Sequence, residues 1–358
     1  MKMKQLLSLI AFCTISLLSF SQPLENWEAD KIKVTQAAGA QTIMHAEALF
    51  EDRWDQLPQA QFWKKIMLLS PDSCLINVAS NRQVLDKMSI RDWNAQTEAA
   101  KDITRQALRT ANDLPSDTRI YVTTGKNDFY RFNEVYPSLD KGVAAFERYG
   151  VDPWYAQSIL LIESPALMRK SSTGAYGAFQ LMPGVARSMG LIVNSTTDER
   201  KDFDRSAYGA AQLIRRFCIP EAKRILAQHN LTYNETDLWF RLFVLHVYHA
   251  GAANVAAVVD KIQPTEGSQE LIKAMWQNSA AGFGNNSQNY TQLALAAQLI
   301  LHDMVYQNCT EISSCMSRWP SKCVRLQWGV APENYWCKYL QFQNPVELLV
   351  HNKHQIAQ

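Results

Sequence analysis

Apolar positions along this chain recur mainly with helical rhythm. Near the start, Lys2 and Lys4 precede an uncharged apolar run from Leu6 to Phe20. From Trp27 to about Asn112 apolar positions return at helical spacing, interrupted by turn clusters. Within that stretch, Trp93 to Lys101 runs into Ile103, Ala107 and Leu108, an amphipathic pattern that predicts one helix. Leu114-Pro115-Ser116-Asp117 breaks it, and Arg119 to Thr124 predicts a short strand ended by Gly125. Val143 to Arg148 predicts a short helix closed by Gly150.

Asp152-Pro153 predicts the start of the next helix, because Asp caps free amides and Pro fits the first helical position. Trp154 and Ile159 to Ile162 surround this helix with apolar side chains, so it should be buried. It must stop near Ser164, since Pro165 brings no amide proton and disfavours helical geometry in the residue before it. Trp239, Phe240, Phe243 and Tyr248 also fall at helical spacing, which predicts core positions. No internal repeat or low-complexity tract interrupts the pattern. The expected protein is mainly α, with a helical N-terminal region at 22–139, a second helical part at 140–300 and a cysteine-bearing C-terminal extension at 301–358.

Charge changes little in this picture. The 36 Lys and Arg against 34 Asp and Glu leave a formal net charge of +2, which favours no nucleic-acid partner and no electrostatic membrane surface. The positive start, the apolar run and the small residues of Ser19-Phe20-Ser21 read as a signal peptide over 1–21. That run is too short to favour a permanent membrane helix, and no later stretch is apolar enough to span a bilayer. The chain is therefore expected to be exported, with no stable transmembrane segment after cleavage. Loss of Cys13 leaves Cys74, Cys218, Cys309, Cys315, Cys323 and Cys337, an even set that predicts disulfides in an oxidising compartment. A zinc site is disfavoured, because the cluster has no short Cys-x-x-Cys pairing and His246 with His249 brings no further ligands. No metal and no cofactor is expected.

The helix ending before Pro165 places Glu163 in its last turn. The negative end of the helix dipole and the apolar neighbours both disfavour the carboxylate and push its pKa upward. A general acid needs that shift, since it must hold a proton near neutral pH. Taken alone, the position reads as a solvated glutamate at a frayed helix end. The following Ser171-Ser172-Thr173-Gly174-Ala175-Tyr176-Gly177-Ala178-Phe179-Gln180-Leu181-Met182-Pro183 changes that reading. Gly174 and Gly177 allow tight turns and close backbone approach, and the Gln180 amide suits sugar hydroxyls or N-acetyl groups.

This stretch resembles the lytic murein transglycosylases, which share the lysozyme-like superfamily fold. Glu163-Ser164, Ser171, Gly174-Ala175, Gly177, Gln180 and Met182-Pro183 match the family's pattern. Gly190 to Val193, Asp198 to Asp202, Ser206 and Ala210-Ala211 look like its D-type membrane-bound branch. Tyr248-His249-Ala250-Gly251 is similar to the family's Tyr-Asn-Ala-Gly, and Asn289-Tyr290 to the end of its Glu-Thr-Arg-x-Tyr segment. The resemblance runs from about Tyr149 to Leu299. It implies an α+β lysozyme-like catalytic domain acting on peptidoglycan glycan strands, in a periplasmic or outer-membrane-associated protein. It further implies Glu163 as sole acid/base, with Ser164, Ser171, Gln180, Met182, Tyr248, His249 and Tyr290 contacting substrate.

Departures from the family accompany the match. The spacer between Glu163 and Ser171 is one residue short, His249 stands for the family Asn, Asn286 for its Glu and Gln288 for its Arg. They predict altered glycan positioning more than a lost acid. The rivals are a hydrolase of the muramidase kind and a glycan-binding protein without turnover. Asp198, Glu199 and Asp202, mixed with Arg200 and Lys201, read as a solvated, salt-linked turn rather than as a second carboxylate. The N-terminal part offers no site chemistry, and its Trp and Met residues read as core.

Overall fold

The computed structural model describes residues 26–36, 39–45, 47–163, 170–308, 311–315 and 323–327. The signal-like segment 1–21, Ser164, Cys309 and Cys337 lie outside these residues. The chain begins with an antiparallel pair, β1 (Lys31–Gln36) and β2 (Gly39–Met44), followed by α1 (Ala48–Glu51) and α2 (Pro58–Leu68). A second sheet forms from β3 (Ser73–Val78), β4 (Val84–Ser89) and, beyond α3 (Ile90–Ala95) and α4 (Glu98–Ala111), β5 (Ile120–Thr124). Helices then dominate: α5 (Phe132–Arg148), α6 (Pro153–Glu163), α7 (Pro183–Ser188), α8 (Phe203–Leu213), α9 (Ile219–Gln228) and α10 (Leu238–Ala250). After them come α11 (Ala252–Ile262), α12 (Gln269–Gln277), α13 (Asn285–Asn308), and finally β6 (Glu311–Cys315) and β7 (Cys323–Gln327). The mainly α class holds, with two small sheets added to it.

Those sheets correct the reading of the N-terminal part as helical apart from one strand, since β1 to β4 join the predicted strand there. Each strand there has only five or six residues, too few alternations to stand out in a helical background. The central strand β3 is buried without interruption from Cys74 to Val78, so no alternation exists to be read. The predicted strand at 119–124 is β5. The single helix expected over Trp93 to Leu108 is two, because the chain turns extended at Gln96 and Thr97. The Thr97 hydroxyl accepts the Ala100 amide at 3.2 Å, and the Ser89 hydroxyl caps α3 in the same way.

The sheet orders are β2-β1-β6-β7 and β4-β3-β5. In the first, β1 lies between β2 and β6, so chain following α13 completes a sheet begun near the N-terminus. The predicted helix at 143–148 is the last part of α5, which is longer, so Leu139-Asp140 falls inside a helix. One apolar core runs through from Ile32 to Val305, and a small separate one (Cys74, Ile76, Trp93, Ile120) lies under the second sheet.

At the centre of the large core, α6 is buried at every position from Pro153 to Ile162. Its polar side chains therefore need protein partners. Gln157 accepts from the Met44 amide at 2.9 Å and donates to the Met44 carbonyl at 2.6 Å and to Gln298 at 2.8 Å. The Gln298 amide in turn reaches the Ser158 hydroxyl at 2.8 Å. These bonds stitch α6 to β2 and to α13. Asp152 caps α6 as expected, accepting the Trp154 amide at 2.9 Å. Its other oxygen accepts from Arg241 of α10 at 2.7 Å, and Arg241 also reaches Asp30 at 2.7 Å.

Cys74 and Cys218 are buried free thiols, so the expected disulfides do not include them. They sit in different cores, which rules out their pairing with each other. Cys315 and Cys323 are register partners in the β6–β7 pair, and their side chains lie outside the described residues. No helix among the described residues is long and apolar enough to cross a membrane.

Candidate active site

Two helix C-terminal ends and one helix N-terminal end converge on Glu163. Glu163 is the last residue of α6, His249 lies in the last turn of α10, and Asn286, Asn289 and Tyr290 belong to the first turns of α13. Together they line a cavity of about 310 Å³, completed by Ile162 and Leu293 and by Trp63, Lys126, Phe129 and Tyr130 from the N-terminal part. Among the described residues lining it, Glu163 is the only carboxylate.

Glu163 keeps partial access to the cavity while protein surrounds it on most sides. Burial raises its pKa from 4.5 to about 7. The neighbouring Tyr290 hydroxyl, which has no hydrogen-bond partner of ordinary length among the described residues, works in the opposite direction. Tyr290, Tyr248 and Tyr130 all have raised pKa values, through burial first and then the nearby Glu163 charge. Near pH 7 this site therefore holds a carboxyl group able to exist in either protonation state, ringed by neutral phenols.

The loop after Glu163 is shaped by its glycines. Gly174 and Gly177 have φ of +95° and +85°, and a Cβ on Gly177 would stand 1.9 Å from the Arg200 carbonyl oxygen. The Ser171 hydroxyl accepts the Ala175 amide at 2.9 Å and shares a bond with Thr173 Oγ1 at 2.9 Å. Tyr176 and Leu181 exchange both backbone bonds at 3.1 Å. Arg200 fastens this loop, donating to the Gly174 and Leu181 carbonyls at 2.9 Å each and to both oxygens of Asp198. The turn at 198–202 is thus not simply solvated: Arg200 is 3 % exposed, and its pairing holds Asp198 below the ordinary carboxylate range. Asp202 caps α8, and Glu199 pairs with Arg205. None of the three carboxylates joins the cavity.

Of the residues proposed from sequence, Glu163, His249 and Tyr290 line the cavity. His249 stacks on Tyr290, ring centroids 4.2 Å apart and 24° from parallel, and desolvation on that covered side lowers its pKa to about 4. Tyr248 stands behind this wall, its hydroxyl donating to the Phe179 carbonyl at 2.6 Å. That bond ties α10 to the glycine loop. Ser171, Gln180 and Met182 lie on the loop and outside the cavity lining. Gln180 takes a left-handed φ of +47° and donates to the Gly177 carbonyl at 3.0 Å, whereas Met182 is 41 % exposed at the start of α7. His246 is core: its ring meets the Thr291 hydroxyl at 2.9 Å, and burial lowers its pKa to about 3.

The N-terminal part, read from sequence as devoid of site chemistry, supplies a wall of the cavity. Trp63 of α2 donates its indole proton to Gln292 at 3.0 Å. Over its ring stands Arg82, 5.6 Å from the centroid and equally far from the Phe62 and Tyr121 rings. Arg82 sits in the β3–β4 turn with φ of +62°, is 6 % exposed, and donates to Asn289 at 2.7 Å. A buried arginine in a left-handed turn is a costly arrangement, of the kind found where surroundings over-determine a site. No local pattern marks these residues, because their roles depend on tertiary contact with α13.

The fold and the cavity define a mainly helical protein with one carboxylate at a buried helix end. Residues 143–270 match the family model described as the transglycosylase SLT domain, a lysozyme-like fold. The match supports, for this segment, activity of the lytic transglycosylase kind on peptidoglycan. No curated protein is detectably similar to the chain.

Proposed function

We propose that this protein cleaves peptidoglycan between N-acetylmuramic acid and N-acetylglucosamine without water, leaving 1,6-anhydro ends, and that it belongs to the D-type membrane-bound branch. The observation that carries this reading is Glu163: the single carboxylate among the described residues that line the cavity, with a pKa raised to about 7. A standard glycosidase needs two carboxylates. Here the sugar's own 2-acetamido group takes the place of the second. Glu163 protonates the departing glycosidic oxygen and then removes the proton of the muramoyl 6-hydroxyl, which closes the anhydro ring. His249 and Tyr290 form one wall for the sugar, Tyr248 holds that wall to the glycine loop, and Ser164, Ser171, Gln180 and Met182 act along the strand beyond it. The protein is exported and works in the periplasm or at the outer membrane.

Solubilisation of purified murein tests this reading. Glu163→Gln should lower the rate by at least about 100-fold, as expected for loss of a general acid, while the circular dichroism spectrum is retained. An equal rate would remove Glu163 from the chemistry. A second reading, glycan binding without turnover, draws on His249 and Asn286, which occupy the cavity in place of the family's Asn and Glu. It predicts binding to murein with no soluble product from either protein.

A further inference from the structure

Lys126 is a cation on the wall of the Glu163 cavity, exposed and without an ion pair among the described residues. It is not a freely placed surface lysine. Its amide donates to the Ile66 carbonyl at 2.9 Å, and its carbonyl accepts from the Phe129 and Tyr130 amides at 3.0 and 2.9 Å. The Asn127 amide donates to the Leu69 carbonyl at 3.0 Å and the Gly125 amide to the Ser73 carbonyl at 2.9 Å. A Cβ on Gly125 would stand 2.2 Å from the Ser70 oxygen and 2.4 Å from the Leu69 oxygen, so only glycine lets this turn lie against the end of α2. The backbone of Lys126 is thereby fixed to the helix that carries Trp63.

Beside the lysine stand Tyr130, whose hydroxyl has no hydrogen-bond partner among the described residues, and Trp63, held by Gln292 and Arg82. An aromatic wall with a free hydroxyl and an unpaired cation suits a sugar ring that bears an anionic arm. On the reading of the cavity as a glycan site, that arm has a definite chemistry. Every second sugar of the strand carries a lactyl group, which ends in a carboxylate or continues into a peptide stem with carboxylates of its own. We propose that Lys126 is a specificity-determining residue that pairs with a carboxylate on the lactyl arm or peptide stem of the bound strand. The inference rests on the proposed glycan substrate and extends the site to residues outside 143–270.

Binding isotherms of the full chain carrying Glu163→Gln, which removes turnover, provide the test. The ligands are peptide-bearing glycan strands, stem-free strands with free lactyl carboxylates, and N-acetylglucosamine oligomers without carboxylates. Adding Lys126→Ala should weaken binding of carboxylate-bearing glycans roughly two- to fivefold, the range for an exposed ion pair, with the difference vanishing at high salt. Lys126→Arg should restore it, and Lys87→Ala, at an exposed position of β4, should not reproduce it. A loss confined to peptide-bearing strands assigns the stem, and one confined to stem-free strands assigns the lactyl carboxylate. Equal loss for the carboxylate-free oligomer, or binding of all three with no effect of Lys126, overturns this inference alone. If none of the glycans binds, the glycan reading of the cavity falls and this inference with it.

Discussion

Glu163 sits between two demands. As an acid it must hold a proton near neutral pH, and as a base it must give it up within the same cycle. A pKa raised to about 7 by burial meets both. The folded pKa lies above the ordinary 4.5, so the folded state binds the extra proton between those values, and stability falls as pH rises through that window. Glu163→Gln should therefore be more stable than the wild type at pH 8, by on the order of 2 kcal/mol after allowing for partial solvent access. Below about pH 4.5 the difference should vanish, and urea denaturation at the two pH values checks it. The rate of murein cleavage should fall as pH rises above about 7, because the proton needed by the leaving oxygen is lost. His249, with a pKa lowered to about 4, should contribute nothing to that limb. The position of Glu163 was legible because Pro165 fixes where its helix ends. Tyr130 was not, since its approach to Glu163 depends on how distant segments pack.

At the scale of elements, the glycine loop and the turn at 198–202 act together. Arg200 is spent on two carbonyls and on Asp198, so the loop's shape depends on a side chain that a sequence reader takes for a surface charge. Gly177→Ala should fail to keep this arrangement. The left-handed φ and a Cβ 1.9 Å from the Arg200 oxygen together should cost about 1–3 kcal/mol, read as a lowered denaturation midpoint, and should slow murein cleavage as well. Gly174→Ala meets nothing within 4 Å and should cost less. The glycines and Pro183 were legible because backbone freedom and its absence are properties of single residues. The break between α3 and α4 was less so, because Thr97 caps a helix in the middle of a stretch whose apolar spacing is continuous. β3 escaped for the reason that hides any fully buried strand: a short apolar run has no period.

The whole molecule is held together across long sequence separations. Arg241, 1 % exposed, joins Asp30 before β1 to Asp152 at the start of α6, and so fixes the N-terminal strands to the helix that carries Glu163. Arg241→Ala should lower stability by about 3–5 kcal/mol, because it leaves the buried Asp152 and the half-buried Asp30 without their cation. Urea denaturation at pH 7 reads the deficit as a lowered midpoint. Asp152 was legible as a helix cap, while its second oxygen and the Asp30 partner were not, since charge spacing says nothing about pairs 89 and 211 residues apart. The same holds for the cavity itself. Its acid and one wall lie in the stretch whose motifs could be read, and the other wall comes from α2 and the 126–130 turn.

The central claim is that one carboxylate, with no second among the described residues of its cavity, drives cleavage to an anhydro product. Mass spectrometry of the soluble fragments released from purified murein tests it most directly, with Glu163→Gln run alongside. The account predicts muropeptides ending in 1,6-anhydro-N-acetylmuramic acid from the wild type and essentially none from the variant. Fragments with reducing ends only would contradict it, as would equal release by the two proteins.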